Sequence, residues 1–206
     1  MLQFKFAGRA FVAAVALLGA IQIADAQQPG TRIRGQIEKA DGNMLTMKTR
    51  EGATLQVQVA DDARISALEK ASLKDIKNDT FIGIAGTPRP DGSIDAFSIH
   101  VFLPAQRGVV PDRHGPWDAR PGSTMTNAYV ESTVSSTDGD TLKVKYKEGE
   151  KIVHVSPQTA IAVAAKGEKS ELKAGAQIIL FGWDKQPDGS ILAKILYVGR
   201  GLTPAM

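Results

Sequence analysis

Pro90-Asp91-Gly92-Ser93-Ile94 returns 97 positions later as Pro187-Asp188-Gly189-Ser190-Ile191. The same offset relates Asp41-Gly42 and Glu51-Gly52 to Asp138-Gly139 and Glu148-Gly149. Between these anchors it slips by one, so that Ile76-Lys77 matches Leu172-Lys173, and Ile82, Ile84 and Gly86 match Ile178, Leu180 and Gly182. One compensated slip means two copies of one fold, spanning about residues 31–102 and 126–199. A period of this length governs every local reading that follows.

Within the first copy, Ile33, Gly35 and Ile37 alternate with Arg34, Gln36 and Glu38, the period of a half-buried strand. Val130, Ser132 and Val134 read as their counterparts. The small middle residue predicts a sharp bend or bulge, as closure of a small barrel requires. Asp41-Gly42 predicts a tight hairpin, and strands follow at 44–49 and 54–59, joined at Glu51-Gly52. Ser66 to Lys77 holds no Gly or Pro, and Leu68, Leu73 and Ile76 share one side of a short helix. Its counterpart, Ala162 to Lys173, contains Gly167 and predicts only a turn or two. Then come an apolar strand at 81–85, the Pro-Asp-Gly hairpin, and a last strand whose Ala96, Ile99 and Val101 predict a further bulge.

Three strands, a short helix and two strands, twice over, predict a mainly all-β protein. The expected architecture is two tandem five-stranded OB-like barrels, each with a short helix between strands three and four. Paired SH3-like or open meander barrels fit the same runs and turns. The expected organisation is a signal peptide at 1–26, a first barrel at 27–102, a Pro/Gly-rich linker at 103–125, a second barrel at 126–200 and a tail at 201–206.

Several of these signals together resemble the small tandem OB-like β-barrel domains of unknown function found in exported bacterial proteins. They are the Gly or Ser in strand one, the Asp-Gly hairpin, the Ile/Leu-Lys step, and Asp-Gly-Ser-Ile running into Ala-x-x-Ile/Leu-x-Val. The resemblance covers both copies, about 140 of 206 residues. The chain is less closely similar to single-domain periplasmic OB-fold proteins. The resemblance implies a periplasmic barrel module and carries over no reaction and no cofactor.

Lys5 and Arg9 precede an apolar run from Ala10 to Ile21, and Ala24-Asp25-Ala26 ends it as a small-x-small site. Cleavage after Ala26 is expected, giving a periplasmic or secreted protein; an uncleaved anchor is the alternative. No later stretch approaches the roughly 20 apolar residues of a membrane helix. There is no cysteine, hence no disulfide and no lipoprotein attachment site. The net charge of +3 falls to near +2 once Lys5, Arg9 and Asp25 are removed. A protein that grips nucleic acid carries a far stronger basic footprint, so nucleic acid is not an expected partner.

Candidate chemistry concentrates in the linker, which lies between the two copies and is not part of the duplication. Four prolines and three glycines between Leu103 and Thr126 predict an extended path without regular structure. Yet Arg113, His114, Trp117 and Asp118 crowd into it. Either they form a recognition element anchored by Trp117, or Trp117 fills the groove between the barrels and its neighbours seal the joint. In the second copy Lys143, Lys145 and Lys147 alternate with Leu142, Val144 and Tyr146, which places three cations on the outer face of strand two. OB barrels use that face for oligomeric ligands, so an anionic envelope polymer is one expected partner and an unidentified periplasmic protein the other. A plain solvated face is the simpler reading, because alternating lysines are routine on exposed strands.

Metal and catalytic signals are weak. Met44 and Met47 stand three apart on a strand and point to opposite faces. His100 and His154 are expected to face outward from separate barrels, and His114 to lie near Asp118. None of these spacings converges on an ion. No Cys nucleophile and no Gly-x-Ser-x-Gly elbow occurs, and Asp91 and Asp188 read as turn residues. The leading expectation is a non-enzymatic binding or scaffolding protein without a cofactor. A metal-handling or transport accessory of the envelope and an enzyme of unrecognised type are the alternatives.

Overall fold

A computed structural model describes residues 32–136 and 139–205. The expected signal peptide lies outside the described residues. The first copy supplies β1 (Ile33–Asp41), β2 (Met44–Thr49), β3 (Thr54–Lys70), β4 (Phe81–Pro88) and β5 (Ile94–Val101). A short β6 (Arg113–Pro116) follows. The second copy supplies β7 (Thr124–Ser136), β8 (Gly139–Tyr146), β9 (Gly149–Lys166), β10 (Gln177–Lys185) and β11 (Ile191–Arg200). Among the described residues, helix is confined to three single 3-10 turns, and no helix is long and apolar enough to cross a membrane.

The strands do not pair copy by copy. β1 pairs with β2, β2 with β3, β3 in parallel with β11, β11 with β10, and β10 with β1, which closes a five-stranded barrel. The further long strands pair in a second circuit, β7 with β4, β4 with β5, β5 in parallel with β9, β9 with β8, and β8 with β7. Each circuit takes three strands from one copy and two from the other, so neither is contiguous in sequence as expected. The core confirms the grouping: Ile37, Leu45, Val57, Leu180 and Leu196 pack together inside the barrel, while Ile82, Ile99, Leu142, Val144 and Val153 fill the second circuit.

The reason for the exchange lies in β3 and β9. Each runs straight past its hairpin partner, and their far ends pair antiparallel with each other from Ser66↔Lys166 to Lys70↔Ala162. The central pair, Leu68↔Ala164, joins residues that are each other's counterparts in the duplication. A pseudo-two-fold axis therefore passes through it, as in an isologous dimer. The strand expected to end at Val59, with a helix from Ser66, instead continues to Lys70, and only Leu73–Asp75 makes a 3-10 turn. Extended backbone wins here because it buries Ala67 in the barrel core and Leu68 on the opposite side, in the joint. A helix would present both to one neighbourhood. The matching turn in the second copy is Lys169–Glu171.

Bulges occur in both first strands, between Ile37 and Lys39 and between Val130 and Ser132. Their positions correct the alignment of these strands. Ile37 stands opposite Met47 and Val130 opposite Val144, so these two are the structural equivalents. Val134, expected to face inward, is 62% exposed because it lies beyond the bulge in a longer hairpin. Ala128 takes the place of Gly35. At Gly35 a Cβ would fall on the Lys48 carbonyl oxygen and within 2.8 Å of Met47 Cε, so the strands approach too closely for any side chain. Both Pro-Asp-Gly hairpins are closed as expected: the Ser93 amide and hydroxyl donate to Asp91 Oδ1 at 2.9 and 2.6 Å, and Ser190 does the same to Asp188.

Candidate functional site

The exchange leaves a joint, and the linker roofs it. After β5, Pro104–Gln106 forms a 3-10 turn, and β6 then adds to the edge of β7, Gly115 opposite Met125. The linker was expected to lack regular structure; β7 offers an edge to pair with, which overrides its Pro and Gly content. Residues 117–123 close into a loop through Ser123, whose hydroxyl donates to the carbonyls of Trp117 and Arg120 at 3.1 and 2.7 Å. Arg50 donates to the Ala119 carbonyl at 3.2 Å, and Arg120 lies over the Phe97 ring at 4.0 Å. The loop thus grips both circuits, the barrel at the end of β2 and the second circuit at β5.

Beneath it lies a cavity of about 580 Å³. Trp117, Phe102, Leu103, Phe181, Ile195 and Tyr197 supply much of its apolar wall, and Arg32, Arg64 and Arg113 its charge. Phe181 packs against both Trp117 and Tyr197, ring centres 6.4 and 5.0 Å apart. Arg32 stacks on Trp117 with its guanidinium carbon 4.0 Å from the ring centre, a cation–π contact. Burial lowers the Arg32 pKa despite the opposing pull of Asp118. Arg64 and Arg113 are exposed at the edge. Among the described residues neither forms an ion pair, and no Asp or Glu lines the cavity.

His100 also belongs to this wall and was misplaced by the alternation of its strand. It does point away from the apolar side of β5, but that outer face is covered by the joint, leaving the residue 3% exposed. Its ring packs on Phe102 at 4.1 Å and edge-on to Tyr197 at 5.7 Å. Both ring nitrogens are buried without a hydrogen-bond partner, as is the indole nitrogen of Trp117. Burial pushes the His100 pKa down to about 3, so the ring is neutral. Tyr197 accepts a hydrogen bond from Gln106 Nε2 at 2.7 Å.

The four linker residues picked out by composition are separated by the structure. Arg113 and Trp117 line the cavity, with Gly115 between them. His114 points to the other side of β6, where Nδ1 meets Thr126 Oγ1 at 2.8 Å and the ring lies 6.0 Å from Tyr146. Burial, and then the charge of Lys151, lower its pKa. Asp118 turns to β1 instead of to His114. It accepts from Arg34 Nη2 at 2.8 Å and from the Arg32 amide at 2.9 Å. Burial alone would raise its carboxyl, but these bonds outweigh it and hold the pKa below the ordinary range. With Arg34 only 7% exposed, the pair fastens the linker to the barrel.

The lysine face is weaker than the sequence implied. Lys143 is taken up by Glu131 at 3.2 Å and Glu150 at 2.9 Å, which cancel its charge locally. Lys145 and Lys147 remain exposed, and the Lys147 amide donates to Asp112. Met47 is buried and Met44 exposed, on opposite faces of β2. His154 is half-buried on the face opposite Val153 and Val155. Among the described residues no group of three or more His, Cys, Asp or Glu side chains is placed to hold a metal ion.

Arg32, Arg64, His100, Phe181 and Tyr197 were not foreseen as site residues. One signal for some of them was present. At equivalent positions of the duplication Arg64 is matched by Ala160, Phe181 by Ala85 and Ile195 by Ser98, so the two copies differ at each of them. Compared with family models, curated proteins and solved structures, the chain matches none, so its own geometry carries the functional reading.

Proposed function

We propose that this chain is an exported, non-enzymatic binding protein built from two OB-like barrels that have exchanged strands, with its ligand site in their joint. The strand order supports the barrel reading: in both circuits it runs one, two, three, five, four and back to one, with strands four and five drawn from the other copy. That is the order of the five-stranded Greek-key OB barrel. Export rests on the first 26 residues.

The cavity under the linker carries the binding reading. Its volume falls within the roughly 300 to 1,000 Å³ typical of small-molecule sites, and it combines an apolar wall with a few polar groups. Surfaces that only seal a joint bury their aromatics against one another; here Trp117, Phe102 and Phe181 border open space. No nucleophile paired with a base lies in this wall, which supports binding over catalysis.

Titration of the intact protein with the neutral fluorophore N-phenyl-1-naphthylamine tests this. Saturable fluorescence enhancement at one probe per chain is expected. Absence of saturable uptake would remove the proposal.

A further inference from the structure

We infer that the joint cavity takes an amphipathic organic anion, a single carboxylate head on an apolar body. This deepens the ligand-site reading above and rests on it. The charge of the wall is one-sided: Arg32, Arg64 and Arg113 face the cavity and no carboxylate does. Elsewhere the exposed Arg89 and Arg107 find acidic partners, Asp95 at 2.6 Å and Asp79 at 2.9 Å, while Arg50 and Arg120 are taken up by a carbonyl and a ring. Arg64 and Arg113 form no ion pair among the described residues. Like charges held at the edge of a low-dielectric recess concentrate positive potential there and draw in an anion. A guanidinium matches a carboxylate with two parallel hydrogen bonds, and more strongly than it would match a neutral head.

The interior selects the remainder of the ligand. Phe102, Leu103, Val110, Trp117 and Phe181 offer hydrocarbon and aromatic surface, and the neutral His100 adds no charge. An alkyl chain or ring entering this space gains by leaving water, about 25 cal/mol for each Å² removed. A fully charged ligand would forgo that gain, and a neutral one would leave Arg64 and Arg113 without a counter-charge.

The duplication provides an internal control. Across the pseudo-two-fold axis lies a second cavity, about 740 Å³, under the C-terminal residues 201–205. There Ala160 stands for Arg64, Ala162 for Ser66 and Ser98 for Ile195, each pairing across the same two strands as its counterpart. That cavity contains no arginine, Trp or Phe; it has Lys70, Asp140 and hydroxyl groups. The arginines and the Trp and Phe wall therefore belong to one side alone, the side under the linker that the duplication left out.

Calorimetric titration of the intact protein with dodecanoate, dodecanol and dodecyltrimethylammonium, each below its micellar concentration, tests the ligand class. Dodecanoate is expected to bind about tenfold more tightly than dodecanol, a difference of about 1.4 kcal/mol, and the cation not to bind. In Arg64→Gln/Arg113→Gln, whose side chains have no ion pair to lose, the preference for dodecanoate over dodecanol should fall to about twofold or less, with dodecanol unaffected. Equal binding of all three in the native protein would overturn the anion inference and leave the cavity reading standing. No binding of any of the three overturns the inference, and naphthylamine uptake then decides whether the cavity reading falls with it. Sedimentation with phosphatidylglycerol vesicles, without uptake of monomeric dodecanoate, would also overturn it, because the cationic rim would then serve a lipid surface.

Discussion

Residues 27–102 expressed alone are expected to form a two-fold dimer and no stable folded monomer. In the full chain β1, β2 and β3 close a barrel only with β10 and β11, and β4 and β5 are held by β7 and β9. A single copy has the same strand types, so a second molecule can supply what the second copy supplies now. The β3–β9 pairing shows how: two β3 strands would meet antiparallel about Leu68, in the register that Leu68 and Ala164 already adopt. Exchange of identical elements between protomers is a low-cost route to dimers, and such a dimer has a stability tied to its concentration. Size-exclusion with light scattering, followed by circular dichroism on dilution, reads the outcome. The predicted result is a dimer that loses structure as it dissociates. A folded monomer would show that β3 can reverse within one copy, and the exchange would then be a consequence of tethering alone.

His100→Phe should raise stability and flatten its acid dependence. Both imidazole nitrogens are buried without partners, and an unsatisfied buried polar group costs about 1 to 3 kcal/mol. Phenylalanine would meet Phe102 and Tyr197 with no polar atom to satisfy. A gain of about 1 kcal/mol corresponds to roughly 2 to 4 °C in a chain of this size. The pH effect follows from the lowered pKa. Between the ordinary value of 6.5 and the folded value of about 3, the unfolded chain binds a proton that the folded chain refuses. This contribution is therefore complete above pH 6.5 and declines as the pH falls, by at most about 1.4 kcal/mol per unit. Asp118 and Glu171, held low by their arginine partners, lose their contributions only as the pH drops below their unfolded values near 4. Urea denaturation between pH 7 and 4.5 separates the two effects. Equal pH slopes in the native protein and the variant would contradict the placement of His100.

Much of this molecule is legible in its sequence, and the limits have physical causes. Alternation and hairpin residues predict the strands because inward positions such as Ile33, Ile82 and Val153 must be apolar whichever partner they face. For the same reason they cannot say which copy provides the partner. A β4 strand presents identical hydrogen-bonding groups to β1 and to β7, so the exchange is invisible to pattern. The helix expected at Ser66–Lys77 failed on the same point, since Leu68 and Ala67 serve two different cores that exist only once the copies have exchanged. His100 looked exposed because the face it occupies is outside its own circuit of strands and inside the joint. Trp117 and Arg113 were legible as candidates, being an aromatic and a cation in a segment that needed neither. Arg64 and Phe181 are more than 100 residues apart and meet only through the parallel pairing of β3 with β11 that brings Arg64 beside Ile195.

Gly115 offers the most direct access to the central claim that the joint cavity is a ligand site. It borders the cavity, and a Cβ added there would meet nothing within 4 Å, so a phenylalanine ring can enter the open space without disturbing β6. Uptake of N-phenyl-1-naphthylamine by Gly115→Phe, measured beside the native protein and with melting temperatures in parallel, is the measurement. The predicted result is loss of the one-to-one uptake with little change in melting temperature. Undiminished uptake by a folded Gly115→Phe would place binding elsewhere and contradict the account.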